Sequence, residues 1–311
     1  MGKIAFVFPG QGAQAVGMGK DAYDASPASR AVFERADAAL GFALSRIIFE
    51  GPEEELRLTV NTQPALLTVS AALLELIAGR VKPDYVAGHS LGEYSALVAA
   101  GVLSFEDAVR AVRLRGEFME EAVPAGQGAM AAVLGADREA LGKLCEEISA
   151  EKGLVVLANV NCPGQIVVSG TAEGVRAVVE RGKEAGAKRV IPLEVSGPFH
   201  SPLMEPAAER LGQVLAELEM RDAEVPVIAN VTAEPVTSAD EIRSLLKRQV
   251  VAPVLWEDTV TRLVSLGVGT FVEIGSGSVL SGLIRKTDKS VTVHTVNSMA
   301  ALDAALAELA P

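Results

Sequence analysis

Short apolar runs alternate with amphipathic helical patterns along most of the chain. The runs at residues 4–8, 85–87, 225–230, 271–274 and 291–295 are strand-like, and the segments between them carry apolar residues at helical spacing. This alternation is typical of a parallel sheet covered by helices on both faces. The pattern therefore predicts an α/β fold.

The middle of the chain has a different order of elements. Four strand-like runs surround two helical patterns, the first of which begins after Asp137. The four runs are residues 129–134, 154–158, 166–169 and 189–195. Their order, βαββαβ, is that of a ferredoxin-like unit. We expect residues 126–194 to form a small ferredoxin-like domain, inserted into a large domain made of residues 1–125 and 195–311.

The composition narrows the class of protein. A chain of 311 residues with 49% hydrophobic and 22% charged residues is typical of a globular protein with a sizeable core. Its 28 basic and 40 acidic residues give a net charge of -12. This charge argues against binding to nucleic acid or to a membrane surface. We expect neither as a partner.

The cysteines and the apolar segments indicate in which cellular compartment the protein is expected. Cys145 and Cys162 are the only cysteines, so no disulfide framework is indicated. The apolar run near the N-terminus is too short for a signal sequence. Charged or polar residues such as Glu75, His89 and Glu93 interrupt the longer apolar segments, which argues against a membrane span. We expect a cytoplasmic protein.

Ser90 lies in the stretch GHSLGEYS and has two interpretations. It could cap the following helix in a capping box with Glu93. It could instead be a nucleophile in the G-x-S-x-G turn between a strand and a helix, where Gly88 and Gly92 leave room for the tight backbone. The apolar run at residues 85–87 supplies the strand that such a turn requires. A cap alone needs neither glycine, so the nucleophile is favoured.

The loop after the first strand-like run has a glycine pattern. Residues 8–15 match G-x-G-x-x-A, but the acidic residue of a dinucleotide site is missing, since Glu34 lies in a helical pattern. A plain Pro-Gly turn is the simpler interpretation. Beside a serine turn, however, the backbone N–H of Gln11 could hold an oxyanion together with the N–H of Leu91.

A serine nucleophile needs a base, and the chain has three histidines. His89 adjoins Ser90 and should point away from it. His200 lies in a loop and is favoured, whereas His294 has strand neighbours. A serine esterase or thioesterase with His294 as base, oriented by a residue such as Asp258, remains an alternative. A non-catalytic acyl-binding or docking module, in which Ser90 only caps, is another.

Arg115 interrupts an apolar stripe. In residues 104–122, the positions Ala108, Val112, Arg115 and Met119 follow helical steps, so the guanidinium projects from the apolar face. Such an arginine can snorkel or pair with a structural carboxylate. It can also present its planar fork to the carboxylate of a ligand.

Seven motifs, in order along the chain, carry a family resemblance. They are PGQGAQ, TQPALL, GHSLGEYSAL, RGEFM, NCPGQIVVSG, GPFHSPLM and EIGSGSVLSGL. Together they resemble the malonyl-CoA:acyl carrier protein transacylases, the acyltransferases of fatty acid and polyketide synthesis. The resemblance covers essentially the whole chain. It implies an α/β-hydrolase-like large domain with a parallel sheet and an inserted ferredoxin-like small domain.

The resemblance also implies roles for individual residues. Ser90 would be acylated and His200 would be the base. The N–H groups of Gln11 and Leu91 would hold the oxyanion, and Arg115 would bind the malonyl carboxylate. The substrates would be malonyl-CoA and the phosphopantetheine thiol of acyl carrier protein, with no metal or other cofactor. We expect a monomer.

Further positions follow from the same resemblance. The backbone carbonyl of Gln249 would orient the histidine, so Gln249→Ala is expected to have a mild effect, and Gln63 would line the acyl pocket. Ser276 and Ser278 stand where the family commonly has Pro and Lys. Phe199, before His200, is similar to the residue that malonyl-selective members have there.

The carrier protein is expected to be acidic, so a chain of net charge -12 must bind it through a local basic surface. Lys183, Lys188 and Arg189 in the insert are one candidate. Arg285 and Lys286 are the other.

Overall fold

The computed structural model of the chain describes residues 2–309. The strands are β1 (Lys3–Phe8), β2 (Tyr85–Gly88), β3 (Gly128–Leu134), β4 (Val155–Cys162), β5 (Gln165–Thr171), β6 (Arg189–Pro192), β7 (Val227–Ile228), β8 (Pro235–Val236), β9 (Val254–Leu255), β10 (Val268–Ile274) and β11 (Thr292–Val296). The helices are α1 (Lys20–Ala25), α2 (Pro27–Leu40), α3 (Leu44–Glu50), α4 (Glu53–Arg57), α5 (Thr59–Ile77), α6 (Gly92–Ala99), α7 (Phe105–Glu121), α8 (Arg138–Glu151), α9 (Ala172–Arg181), α10 (Glu205–Glu217), α11 (Ala239–Gln249), α12 (Trp256–Ser265), α13 (Val279–Thr287) and α14 (Met299–Leu309). Short 3-10 helices lie at Gly182–Ala185 and Pro202–Met204.

The first sheet has the strand order β11-β10-β1-β2-β7-β8. Its strands pair in parallel except β8, which runs antiparallel to β7. This confirms the predicted α/β fold with a parallel sheet. The strand predicted at residues 225–230 is shorter, because the chain turns back after Ile228 and the Ala229 N–H bonds the Glu234 carbonyl.

The second sheet has the order β6-β3-β5-β4-β9. The predicted order of strands and helices in the middle of the chain is confirmed as β3-α8-β4-β5-α9-β6, and the Asp137 side chain caps α8 by accepting the Ala140 N–H. The last strand of this segment ends at Pro192 rather than at residue 195. The fifth strand, β9, comes from outside residues 126–194 and pairs with β4 in parallel, so it joins the insert to the rest of the protein.

Helix α5 is long and apolar enough to cross a membrane by length and composition alone. In the fold, 78% of its apolar window is buried. It packs against α2 and α7, and residues such as Leu66, Leu67 and Val69 belong to the largest hydrophobic cluster. Such burial is typical of a core helix.

The first sheet brings three loops to one edge. The parallel strands β1, β2 and β7 end at Phe8, Gly88 and Ile228, and the carboxyl ends of parallel strands lie at the same edge of a sheet. The residues that follow these strands include Gln11, Ser90 and Asn230. This edge is therefore where a site is expected.

Candidate active site

The turn between β2 and α6 holds Ser90 in a left-handed backbone conformation with φ 52°. A side chain at Gly88 would overlap the Gly92 carbonyl, and one at Gly92 would overlap the Phe8 carbonyl. Both glycines are therefore required by close backbone approach. The tight strand-to-helix turn predicted from G-x-S-x-G is present.

The capping box predicted for Ser90 and Glu93 is absent. The Ser90 Oγ lies 2.7 Å from the His200 Nε2 and accepts a bond of 3.2 Å from the Arg115 Nη2. The Ser90 N–H donates to the Asn230 Oδ1 at 2.7 Å, and the Glu93 Oε2 accepts from the Asn230 N–H and the Gln249 Nε2. The favoured interpretation agrees with this geometry, and the capping box does not form because Asn230, which follows β7, accepts the N–H that Glu93 would have bound.

His200 lies in the loop after β6, is 3% exposed and has φ 56°. Its Nδ1 is 2.9 Å from the Gln249 carbonyl oxygen, so this nitrogen donates its proton there and leaves Nε2 as an acceptor facing Ser90. Burial and the Arg115 charge lower the pKa of His200 to about 3. The imidazole is neutral near pH 7 and can accept a proton.

The other two histidines are held elsewhere. His89 Nε2 lies 2.8 Å from the Asn161 Oδ1, and its ring packs against Trp256. His294 is on β11, three strand positions from β2, with its Nδ1 4.0 Å from a Glu308 carboxylate oxygen. Asp258 pairs with Arg138 at the surface. The structure thus does not bring His294 and Asp258 together with Ser90.

Arg115 on α7 is 1% exposed and directs its guanidinium into the site. Its Nη1 donates to the Gln63 Oε1 at 2.8 Å, and its Nη2 donates to the Gln249 Oε1 at 3.0 Å as well as to Ser90. Within residues 2–309 the Nε has no hydrogen-bond partner, and the partners of the two terminal nitrogens are all neutral oxygens. Burial lowers the pKa of Arg115. The buried cation is bound only by neutral groups, which leaves a carboxylate as its best missing partner.

Gln249, the last residue of α11, is fully buried and contributes more than its carbonyl. Its Nε2 donates to the Ser90 carbonyl oxygen at 3.0 Å, to the Glu93 Oε2 at 2.7 Å and to the Asn230 Oδ1 at 3.2 Å. Its Oε1 accepts from Arg115. The expected contact of the Gln249 carbonyl with His200 is present, but the side chain makes further bonds, so the carbonyl alone does not determine the effect of Gln249→Ala.

Gln11 and Leu91 line the same cavity as Ser90. Among the hydrogen bonds of residues 2–309, neither backbone N–H has an acceptor. Leu91 lies at the N-terminus of α6, where the helix dipole favours a negative charge. The two groups are therefore available to an oxyanion.

The cavity around Ser90 is lined from both sheets. Gln63, Met119 and Phe199 lie near Arg115, so Gln63 lines the cavity as expected. The second sheet contributes Met130, Asn159, Asn161, Gln165 and Val167, and α13 contributes Val279, Leu280 and Leu283. In the described part of the chain, no group of three or more His, Cys, Asp or Glu side chains could hold a metal ion.

The late glycine loop meets the first glycine loop. The Ser276 Oγ donates to the Ala13 carbonyl at 2.6 Å, whereas Ser278 stands at the start of α13 without a side-chain cap bond. Ser276 therefore ties the late loop to the one that carries Gln11.

Comparisons with known proteins agree with this geometry. The sequence model of the acyl transferase domain family matches residues 5–311. The malonyl CoA-acyl carrier protein transacylase of Bacillus subtilis is 55% identical over 310 residues, which cover 99% of this chain and 98% of that protein. The acyl-carrier-protein-S-malonyltransferase of Bartonella henselae superposes with a TM-score of 0.96 at 46% identity, covering 99% of each chain. A malonyl-transacylase solved in complex with a type II PKS acyl-carrier protein superposes with a TM-score of 0.95 at 44% identity, covering 98% of this chain and 99% of that one.

This chain is thus an acyltransferase by family. It belongs, within the acyl transferase domain family, to the malonyl CoA-acyl carrier protein transacylases.

The sequence did not point to Asn230 or to the buried position of Glu93 in the network. Both contact residues more than 130 positions away along the chain. One signal was available for Asn230, because it follows a strand of the parallel sheet at the edge where Ser90 also lies.

Proposed function

We propose that the protein transfers a malonyl group from malonyl-CoA to the phosphopantetheine thiol of acyl carrier protein through an ester on Ser90. The observation that carries this proposal is the position of one hydroxyl between two groups. The Ser90 Oγ is 2.7 Å from a neutral histidine nitrogen and 3.2 Å from a buried guanidinium nitrogen. The first can activate the hydroxyl, and the second can bind an acyl group that carries a carboxylate.

The first half-reaction forms the ester. His200 Nε2 accepts the Ser90 proton while the Oγ attacks the thioester carbonyl. The N–H groups of Gln11 and Leu91 stabilise the tetrahedral oxyanion. The C–S bond then breaks, and CoA leaves as a thiol with the proton from His200.

The second half-reaction reverses these roles. His200 accepts the proton of the carrier thiol, the sulfur attacks the seryl ester, and Ser90 leaves with the proton. The Gln249 carbonyl accepts a hydrogen bond from Nδ1–H throughout, which fixes the tautomer and stabilises the transient imidazolium. No step needs a metal or a redox cofactor.

Arg115 selects the acyl group. A malonyl carboxylate that displaces the amide oxygens of Gln63 and Gln249 would gain two parallel charge-assisted hydrogen bonds. The relatives named above share this substrate in their names, which supports the assignment.

The finer description of the fold belongs to the same proposal. We interpret the first sheet and its helices, residues 1–125 and 195–311, as an α/β-hydrolase-like domain. Residues 126–194 would be a ferredoxin-like domain, in support of which β3, β4, β5 and β6 have the predicted order. We keep a cytoplasmic monomer as our expectation.

Carrier docking would use a basic surface beside the cavity. Lys286 on α13 donates to the Gln165 Oε1 at 3.4 Å, and Gln165 lines the cavity that holds Ser90. Lys183, Lys188 and Arg189 are exposed, and none of their side chains bonds a residue that lines that cavity. The position of Lys286 therefore favours α13 for docking.

The test is intact-mass analysis after mixing with malonyl-CoA, followed by addition of holo carrier protein or of buffer. A malonyl adduct that the carrier removes faster than water does supports the transferase. Faster hydrolysis would support an esterase or thioesterase instead, and absence of any adduct would leave only a binding module.

A further inference from the structure

The left-handed backbone of Ser90 needs something to hold it, because a residue with a side chain rarely adopts positive φ. We propose that Asn230 is the positioning residue that holds the nucleophile in this conformation, supported by Gln249 and Glu93. The inference rests on the proposed function, since it assigns Ser90 as the nucleophile.

Asn230 binds the backbone on both sides of the turn. Its Oδ1 accepts the Ser90 N–H at 2.7 Å, and its Nδ2 donates to the Gly88 carbonyl at 2.6 Å. One carboxamide thus connects the last residue of β2 to the residue two positions later. The spacing between these two groups fixes how sharply the chain turns.

Gln249 completes the support from the other side. Its Nε2 donates to the Ser90 carbonyl, so both backbone polar groups of Ser90 are bonded to amide side chains from distant elements. The same Nε2 also reaches the Asn230 Oδ1 and the Glu93 Oε2. The two amides and the carboxylate form one buried network, in which each member orients the next.

Asn230 forms hydrogen bonds through both its backbone and its side chain. Its N–H donates to Glu93, its carbonyl accepts the Leu255 N–H, and both side-chain atoms are bonded as described. Its exposed fraction is 0%. Asn230 does not line the cavity that holds Ser90, which makes it a positioning residue rather than a catalytic one.

This arrangement explains why the Ser90 hydroxyl is free to react. In a capping box the Oγ would bind a helix N–H and the glutamate would bind the serine N–H. Here Asn230 takes the serine N–H, and the Oγ is directed at His200 instead. Loss of the Asn230 carboxamide should allow the Oγ to move away from Nε2.

The experiment compares Asn230→Ala with wild type and with Asn61→Ala. Asn61 is a matched control, because it is also buried and also donates its Nδ2 to a backbone carbonyl, that of Glu55, but it does not touch Ser90. We measure three quantities: the single-turnover acylation rate with malonyl-CoA, the dissociation constant of malonyl-CoA, and the rate of Ser90 labelling by phenylmethylsulfonyl fluoride. The last probe is neutral and does not need Arg115.

Asn230→Ala should lower the acylation rate about 100-fold and slow the labelling comparably, since a misplacement of about 1 Å has such an effect. The dissociation constant of malonyl-CoA should change by less than about threefold, because Asn230 neither lines the cavity nor bonds Arg115. Folded Asn61→Ala should acylate within about twofold of wild type. Wild-type acylation and labelling rates in Asn230→Ala would overturn the inference, as would an equal loss in both variants.

Asn230→Asp tests the same inference if Asn230→Ala does not fold. A protonated carboxyl offers the same acceptor and donor as the amide, whereas the ionised form would face the Gly88 carbonyl and Glu93. Its acylation rate, divided by that of wild type at each pH, should therefore rise as the pH falls from about 8 to about 5.5. A flat ratio would overturn the inference. Absence of a wild-type adduct would instead overturn the proposed function.

Discussion

The two sheets contribute different kinds of group to one cavity. The loops after β1 and β2 of the first sheet carry Gln11 and Ser90, and helix α7 beside it carries the buried Arg115. The second sheet contributes only uncharged side chains, such as Met130 and Asn159. The reacting groups therefore lie on the first sheet and its helices, where buried hydrogen bonds fix the polar atoms. The second sheet lines the other side of the cavity with uncharged side chains. Variants in the first region should change the chemistry, while changes near the second sheet should affect access and docking.

The largest expected effect is at the hydroxyl and its base. Ser90→Ala should abolish the malonyl adduct, and His200→Ala should lower the acylation rate by about 100-fold or more, since general base catalysis contributes 10²–10⁴-fold. His294→Ala is the matched control, because His294 lies on β11 at the edge of the first sheet, away from Ser90. Stopped-flow acylation measures all three. Equal losses in the two histidine variants would contradict the assignment.

Loss of the Arg115 guanidinium should have the next largest effect on the transfer rate. Each charge-assisted bond contributes about 1.5–3 kcal/mol, so Arg115→Ala should slow malonyl transfer at least about tenfold and up to a hundredfold or more. Acetyl-CoA has no charge to pair and should lose little. Arg115→Lys should recover only part of the rate, because an ammonium lacks the planar fork. An unchanged malonyl-to-acetyl ratio in Arg115→Ala would return the residue to a structural role.

The buried carboxylate of Glu93 should make stability depend on pH. Burial raises its pKa from 4.5 to about 7, so between these values the folded protein binds more protons than the unfolded chain does. This contribution to the free energy of unfolding falls as the pH rises through that range, by about 2–3 kcal/mol in all. Glu93→Gln should remove the fall.

Urea unfolding of wild type and Glu93→Gln between about pH 4.5 and 8 measures this difference. The comparison must be made between variants at each pH, because the lowered pKa of His200 gives the opposite slope below about pH 6.5. Glu139→Gln is the control, since Glu139 is exposed on α8 beside the second sheet. A constant difference between wild type and Glu93→Gln at all pH values would contradict the prediction.

The smallest effect is expected at the mouth of the cavity. Lys286→Glu should weaken transfer to carrier protein several-fold at low salt while leaving acylation by malonyl-CoA nearly unchanged. Lys183→Glu is the control, because Lys286 bonds the cavity-lining Gln165 and Lys183 bonds no residue of the cavity. Steady-state KM for carrier protein and single-turnover acylation are measured for both. Equal effects on the two half-reactions would argue against docking at α13, and a selective effect of Lys183→Glu would move the docking surface to the insert.

The sequence was most informative where local rules determine the structure. The glycines around Ser90 predicted the tight turn, and the apolar stripe of α7 predicted that Arg115 projects from the apolar face, where the structure shows it 1% exposed. It was least informative where distant elements meet. The capping box failed because Asn230, 140 positions away, takes the Ser90 N–H, and strand β9 pairs with β4 although no local pattern indicates it. Such partners are chosen by the fold rather than by spacing along the chain.

Because Arg115 already has hydrogen-bond partners in the free protein, a carboxylate that binds to it must exchange one set of hydrogen bonds for another. Three neutral oxygens, from Gln63, Gln249 and Ser90, already accept from its two terminal nitrogens, so a carboxylate that binds there replaces bonds rather than filling an empty site. The gain is the difference between a charged and a neutral acceptor, and little new order is imposed on the protein. The two bonds that a malonyl carboxylate would exchange are those to the Gln63 and Gln249 amide oxygens, so the bond from Nη2 to Ser90 need not break. A neutral acyl group would displace neither amide, so we expect these amides to keep the guanidinium bonded whenever a carboxylate is absent.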